Sequence, residues 1–107
     1  MGKKVQSPSL CFGIRLRQAR ERVGLAQDKL GVMIGLDEGS SSARISRYET
    51  GVHQPPFETA HSLAQVLRVP VAFFYCEDDW MAETLLHLGK MNAAQREQLT
   101  SWLGEAV

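Results

Sequence analysis

Gln27 to Glu49 is the stretch of this 107-residue chain whose residue types and spacing come closest to chemistry. That chemistry is recognition of a polyanion rather than bond making. Gln27 opens one short apolar-patterned segment, and Ile45-Ser46-Arg47-Tyr48-Glu49 closes a second just before Thr50-Gly51. Two short helices joined by a turn can place the second of them in the major groove of DNA. The join, Gly35-Leu36-Asp37-Glu38-Gly39-Ser40-Ser41-Ser42, is long for such a turn and carries two acids where phosphates would approach.

Other chemistries find no residues to support them. There is no convergent Ser/His/Asp or Cys/His pattern and no phosphate-binding glycine loop, so an enzyme is not expected. Cys11 and Cys76 are widely spaced and lack the pairing of a zinc site, which points to two reduced, partly buried thiols with neither metal nor cofactor. His61 and His87 read as helix-surface groups. Formal net charge is zero, but its distribution is uneven. Residues 1–56 hold nine Lys/Arg against five Asp/Glu, and residues 57–107 hold three against seven. A basic front and an acidic back suit a protein with one face towards phosphates. No run approaches the roughly 20 apolar residues of a membrane span. The first nine residues lack the apolar core of a secretory signal, so a cytoplasmic location is expected.

The elements that must position the Gln27–Glu49 stretch are all helical. Ser9 can cap a first helix to about Val23, with Phe12, Leu16, Ala19 and Val23 on one face and the arginines 15, 17, 20 and 22 mostly off it. Gly24 stops it. A second helix from Gln27 to about Ile34 buries Leu30, Met33 and Ile34, although Ala26 is a poor N-cap. The third ends near Tyr48 or Glu49. A fourth, about Phe57 to Leu67, buries Ala60, Leu63, Ala64 and Leu67, and a short fifth covers Ala72 to Tyr75. Glu77-Asp78-Asp79 reads as a polar boundary. Beyond it, Trp80 to about Leu88 aligns Met81, Leu85 and Leu88. Asn92 with Gln95 then forms a capping box before a last helix striped with Leu99, Trp102, Leu103 and Ala106.

Residues 12–79 resemble the lambda-repressor-like DNA-binding domain of the Cro/cI or XRE type. The matching pieces are Phe12-Gly13-Ile14-Arg15-Leu16-Arg17, Gly24-Leu25-Ala26-Gln27, Ile45-Ser46-Arg47-Tyr48-Glu49-Thr50-Gly51, Pro55, Leu63-Ala64 and Leu67-Arg68-Val69-Pro70. The resemblance implies an all-α, five-helix helix-turn-helix domain at 9–79. A flexible basic segment at 1–8 would precede it, and a two-helix extension at 80–107 would follow. It implies that Gln27 bonds a DNA phosphate through its side chain and the helix N-terminus. Base-reading positions then fall on Ser42, Ala43, Ser46 and Arg47, with Arg47 suited to bidentate pairing with guanine. Ser41, Arg44, Thr50 and His53 would also lie along the DNA, chiefly against its backbone. Arg20 and Glu49 match a structural ion pair between the first and third helices.

The sequence departs from the family at the join, which is longer by about one helical turn. Gly39 and the serines favour a loop, with the third helix starting at Ser41. The alternative is that Asp37 caps a helix that begins a turn early. The functional expectation is a sequence-specific transcriptional regulator, a repressor, which binds double-stranded DNA at a pseudo-palindromic operator as a homodimer. The extension at 80–107 is the candidate dimer element. The competing expectation is an antitoxin or antirepressor-like protein that uses the same fold, and the C-terminal helices, to bind a protein partner. An effector-binding regulator is not expected, because the residues beyond position 79 are too few to enclose a typical pocket.

Overall fold

Pro8 sets where the first helix begins. The structure, a computed structural model, describes residues 7–106, and the expected basic segment at 1–8 lies outside the described residues up to position 6. α1 runs Pro8–Arg22 with Ser7 as its N-cap; the Leu10 amide donates to Ser7 Oγ at 3.1 Å. Proline's fixed φ is ready-made for the first helical position, so the helix starts before Ser9, the expected cap. Ser9 instead donates to Gln54 across the surface at 3.2 Å.

The remaining elements are α2 (Gln27–Met33), α3 (Glu38–Glu49), α4 (Phe57–Leu67), a 3₁₀ turn (Val71–Tyr75), α5 (Asp79–Gly89) and α6 (Ala93–Ala106); no strand occurs among the described residues. One core joins the first five helices and the 3₁₀ turn. Phe12, Leu16 and Ala19 meet Leu30, Ile45, Tyr48, the four expected residues of α4, then Phe73 and Phe74, and finally Ala82 and Leu86. Each large side chain removed from water here contributes about 1.5–3 kcal/mol. Two expected core positions are exposed. Val23 is the C-cap of α1, and Met33 is the last residue of α2. Both sit where the chain leaves the helix, so the helical period no longer aims them inward.

Arg15 was expected off the buried face, yet it is only 3% exposed. Its Nε donates to the Cys76 carbonyl at 2.8 Å, and its other nitrogens reach the Glu77 carbonyl, Gln18 and Asp79 Oδ1 at 3.0 Å each. Its guanidinium also lies 5.8 Å from the Phe73 ring centroid. The expected polar boundary at 77–79 is therefore a joint that Arg15 fastens. Asp78 caps α5 by accepting from the Met81 amide at 2.9 Å. α5 turns Ala82 and Leu86 into the core rather than the expected Met81, Leu85 and Leu88 stripe.

α6 is different. Its capping box forms as expected, with Asn92 and Gln95 exchanging backbone-to-side-chain bonds of 3.0 and 2.8 Å. No residue of α6 is buried. The radius of gyration is 15.2 Å, against about 13 Å for a compact chain of this length, in keeping with a helix that projects from the body.

Candidate nucleic-acid interface

Gly31 explains how the join is accommodated. α2 ends in a Schellman motif: the Leu36 amide donates to the Gly31 carbonyl at 3.0 Å and the Gly35 amide to the Val32 carbonyl at 2.9 Å, with Gly35 at φ 95°. The turn is then short, and the surplus residues lengthen α3, which begins at Glu38 rather than the expected Ser41. Asp37 is its N-cap residue, although its side chain makes no capping bond. The longer helix is possible because α2 and α3 cross at two small residues. A Cβ built on Gly31 would fall 2.8 Å from Ser41 Cβ, closer still to its hydroxyl.

Ser41 therefore belongs to the crossing. It is fully buried and donates to the Asp28 carbonyl at 2.6 Å, so the expected surface role at this position is corrected to a packing role. With 100° between successive residues, the buried line Ser41, Ile45, Tyr48 and Glu49 fixes the rest of α3. Ala43 and Arg47 lie opposite it. Ser42 and Ser46 occupy the flank towards α2, where Ser42 Oγ is 3.4 Å from Gln27 Oε1. Ser42, Ala43, Arg44, Arg47, Thr50 and His53 are exposed, and Ser46 and Gln27 are half-buried. Gly39, expected in a loop, instead shares the outward face of α3 one turn before Ala43, with nothing near the place of its missing Cβ.

The face is held from behind by one network. Glu49 is 8% exposed. It accepts from Arg20 Nε, from Arg20 Nη2 at 3.1 Å and from Gln27 Nε2 at 3.0 Å, while Arg20 Nη1 donates to the Leu25 carbonyl at 2.9 Å. The hydrogen bonds that Arg20 donates to Glu49 raise the Arg20 pKa above its ordinary value, against the opposing effect of burial. The expected ion pair is thus present and extends to Gln27. In contrast, the Arg44, Arg47 and His53 side chains bond nothing among the described residues. α2 has no side-chain cap at Ala26, which leaves its first amides for water or an external acceptor. The arrangement can offer two unpaired guanidiniums, several hydroxyls and a helix start to an anionic surface.

No group of three His, Cys, Asp or Glu forms a metal-binding set among the described residues. Burial pushes the Cys11 thiol pKa up, more than nearby Arg15 lowers it, so this thiol is a poor nucleophile. No helix among the described residues is long and apolar enough to cross a membrane.

A family model described as a helix-turn-helix domain matches residues 12–72. HTH-type transcriptional regulators of Sinorhizobium medicae (strain WSM419) and Rhizobium meliloti (strain 1021) are each 32% identical over 73 residues, 68% of this chain and 50% of theirs. The chain spans about half the length of these curated relatives. The crystal structure of the transcriptional regulator BswR superposes with a TM-score of 0.83 and 40% identity, covering 87% of this chain and 92% of that one.

Gly31→Ala is expected to lower stability by about 1–3 kcal/mol, since the added methyl must push α3 away from α2. Urea unfolding measures it, and an unchanged midpoint would contradict the crossing described.

Proposed function

The chain belongs to the helix-turn-helix family of transcriptional regulators, and on that premise we propose that it is a repressor that lays α3 in the major groove of a pseudo-palindromic operator as a homodimer. The observation that carries this reading is the outward face of α3. Arg47 is unpaired there, beside hydroxyls and near the uncapped start of α2, and Arg44 is unpaired on the flank of α3 away from α2. In this reading Arg47 pairs with guanine through its two-pronged guanidinium, Ser42 and Ser46 bond base edges, and Ala43 touches a thymine methyl. Gly39 lets the first turn of α3 approach closely. Arg44, Thr50 and His53 follow the phosphates, and Gln27, already oriented by Glu49 and Ser42, meets a phosphate with the amides of α2.

Dimerisation is assigned to the C-terminal helices. Trp102 is 62% and Leu103 47% exposed on α6, with Trp80 and Met81 also exposed at the start of α5. Apolar area of this kind on a projecting helix suits a two-fold partner, and a two-fold protein reads half-sites about one DNA turn apart, roughly 34 Å.

The same helices support the second reading, an antitoxin or antirepressor-like protein whose α6 face takes a different protein. Solution mass separates the two. The full chain is expected to be a dimer, and Trp102→Ala with Leu103→Ala is expected to be a monomer of unchanged helicity. A monomeric parent protein would remove the homodimer and favour the protein-partner reading.

Selection of bound DNA from a random pool tests the function itself. A two-fold symmetric motif is expected. Against that motif, Arg47→Ala should lose about 1–3 kcal/mol and relax one base position, whereas Gln27→Ala should weaken binding without altering the preferred sequence. Normal binding by Arg47→Ala would show the register of α3 to be different.

A further inference from the structure

We propose that the groove between α4 and α6 binds a small carboxylate with an apolar body. The acidic half of the chain, residues 57–107, has only three cations, Arg68, Lys90 and Arg96. All three border adjoining grooves. Arg68 and Arg96 line one of about 500 Å³ together with His61 and Gln65, and Arg68 and Lys90 line its neighbour. The first groove has the size of an ordinary small-molecule site and a floor that includes Val69, Pro70 and Val71.

Both guanidiniums are placed against local preference. Arg68 ends α4 at φ 58°, ψ 46°, and it is the one non-glycine residue with positive φ among those described. Glycine suits this left-handed position better. A cation does complement the C-terminal end of α4, but that benefit does not extend to Arg96. Arg96 lies near the start of α6, where the helix dipole disfavours positive charge. Neither side chain has a bonding partner among the described residues, and no acid is among the residues that line the groove. Two exposed guanidiniums therefore border one groove whose lining holds no acid. A carboxylate between them matches the fork geometry of arginine, and an apolar body covers the floor.

The groove takes its walls from the domain itself, so the shortness of the chain beyond position 79 does not prevent it. Arg68 belongs to the packed body and Arg96 to α6, which has no buried residue. A ligand held by both fixes the angle of α6. The consequence for dimerisation rests on the reading of α6 given above; the binding does not.

The test is titration of the full-length, ¹⁵N-labelled protein without DNA, with benzoate as probe and benzyl alcohol as its neutral counterpart. Benzoate should give saturable shifts centred on residues 68, 69, 71, 89 and 96, and benzyl alcohol should bind about tenfold more weakly or worse. Arg68→Gly removes the charge while suiting the backbone, and Arg96→Gln removes the other. Each should weaken benzoate about tenfold with helicity unchanged. Absence of saturable shifts at these residues, or wild-type titration of both variants, would overturn the proposal.

Discussion

The buried ion pair between Arg20 and Glu49 is the constraint on which the presentation of α3 depends. Its two side chains are 13% and 4% exposed, so each charge has given up most of its water. Such a loss is offset only when every strong donor and acceptor finds a partner. Here the carboxylate receives three donors, and the guanidinium also reaches the Leu25 carbonyl in the turn between α1 and α2. One network thereby fixes the end of α1, the start of α2 and the end of α3. Gly13 tightens the same corner, since a Cβ there would fall 2.7 Å from the Tyr48 carbonyl oxygen and closer to that of Glu49. α1 can press against the end of α3 only without a side chain at that position.

The second constraint is the crossing of α2 and α3 at Gly31 and Ser41. It fixes the rotation of α3 about its own axis, while the ion pair fixes its end. Together they decide which residues face outward. Because the two contacts lie at opposite ends of α3, the face between them is braced at both ends, and Ser42, Ala43, Ser46 and Arg47 take their directions from residues that face the other way. The short Schellman turn at Gly35 contributes by ending α2 sharply, so that the extra residues enter a helix instead of bulging towards a ligand.

Much of this was legible in the sequence wherever local pattern and tertiary burial agree. α4 follows its apolar period and turns inward the four residues expected. The capping box of α6 needs only two residues three apart. The Arg20–Glu49 pair followed from the resemblance, not from spacing. What stayed hidden depended on contacts between distant segments. Gly39 and the serines prefer loops in isolation, yet the crossing at Gly31 recruits them into α3. The mid-helix glycine was the available signal. Arg15 looked like one more solvated arginine, because its carbonyl partners lie about sixty residues away. The most apolar line along α5 lies one residue out of phase with its buried face, because Met81, Leu85 and Leu88 outweigh in hydrophobicity the Ala82 and Leu86 that the core accepts. α6 shows the reverse case, a stripe that is evident in sequence and exposed in the single chain.

A double-mutant cycle across Arg20 and Glu49, followed both by urea unfolding and by affinity for the selected DNA, tests this account most directly. Either single alanine should lower stability by about 3–5 kcal/mol by leaving its partner buried and uncompensated. The double variant should lose far less than the sum, and each single change should weaken DNA binding although neither side chain faces outward. Effects that add to within about 0.5 kcal/mol, or single variants that bind DNA as the parent does, would contradict it.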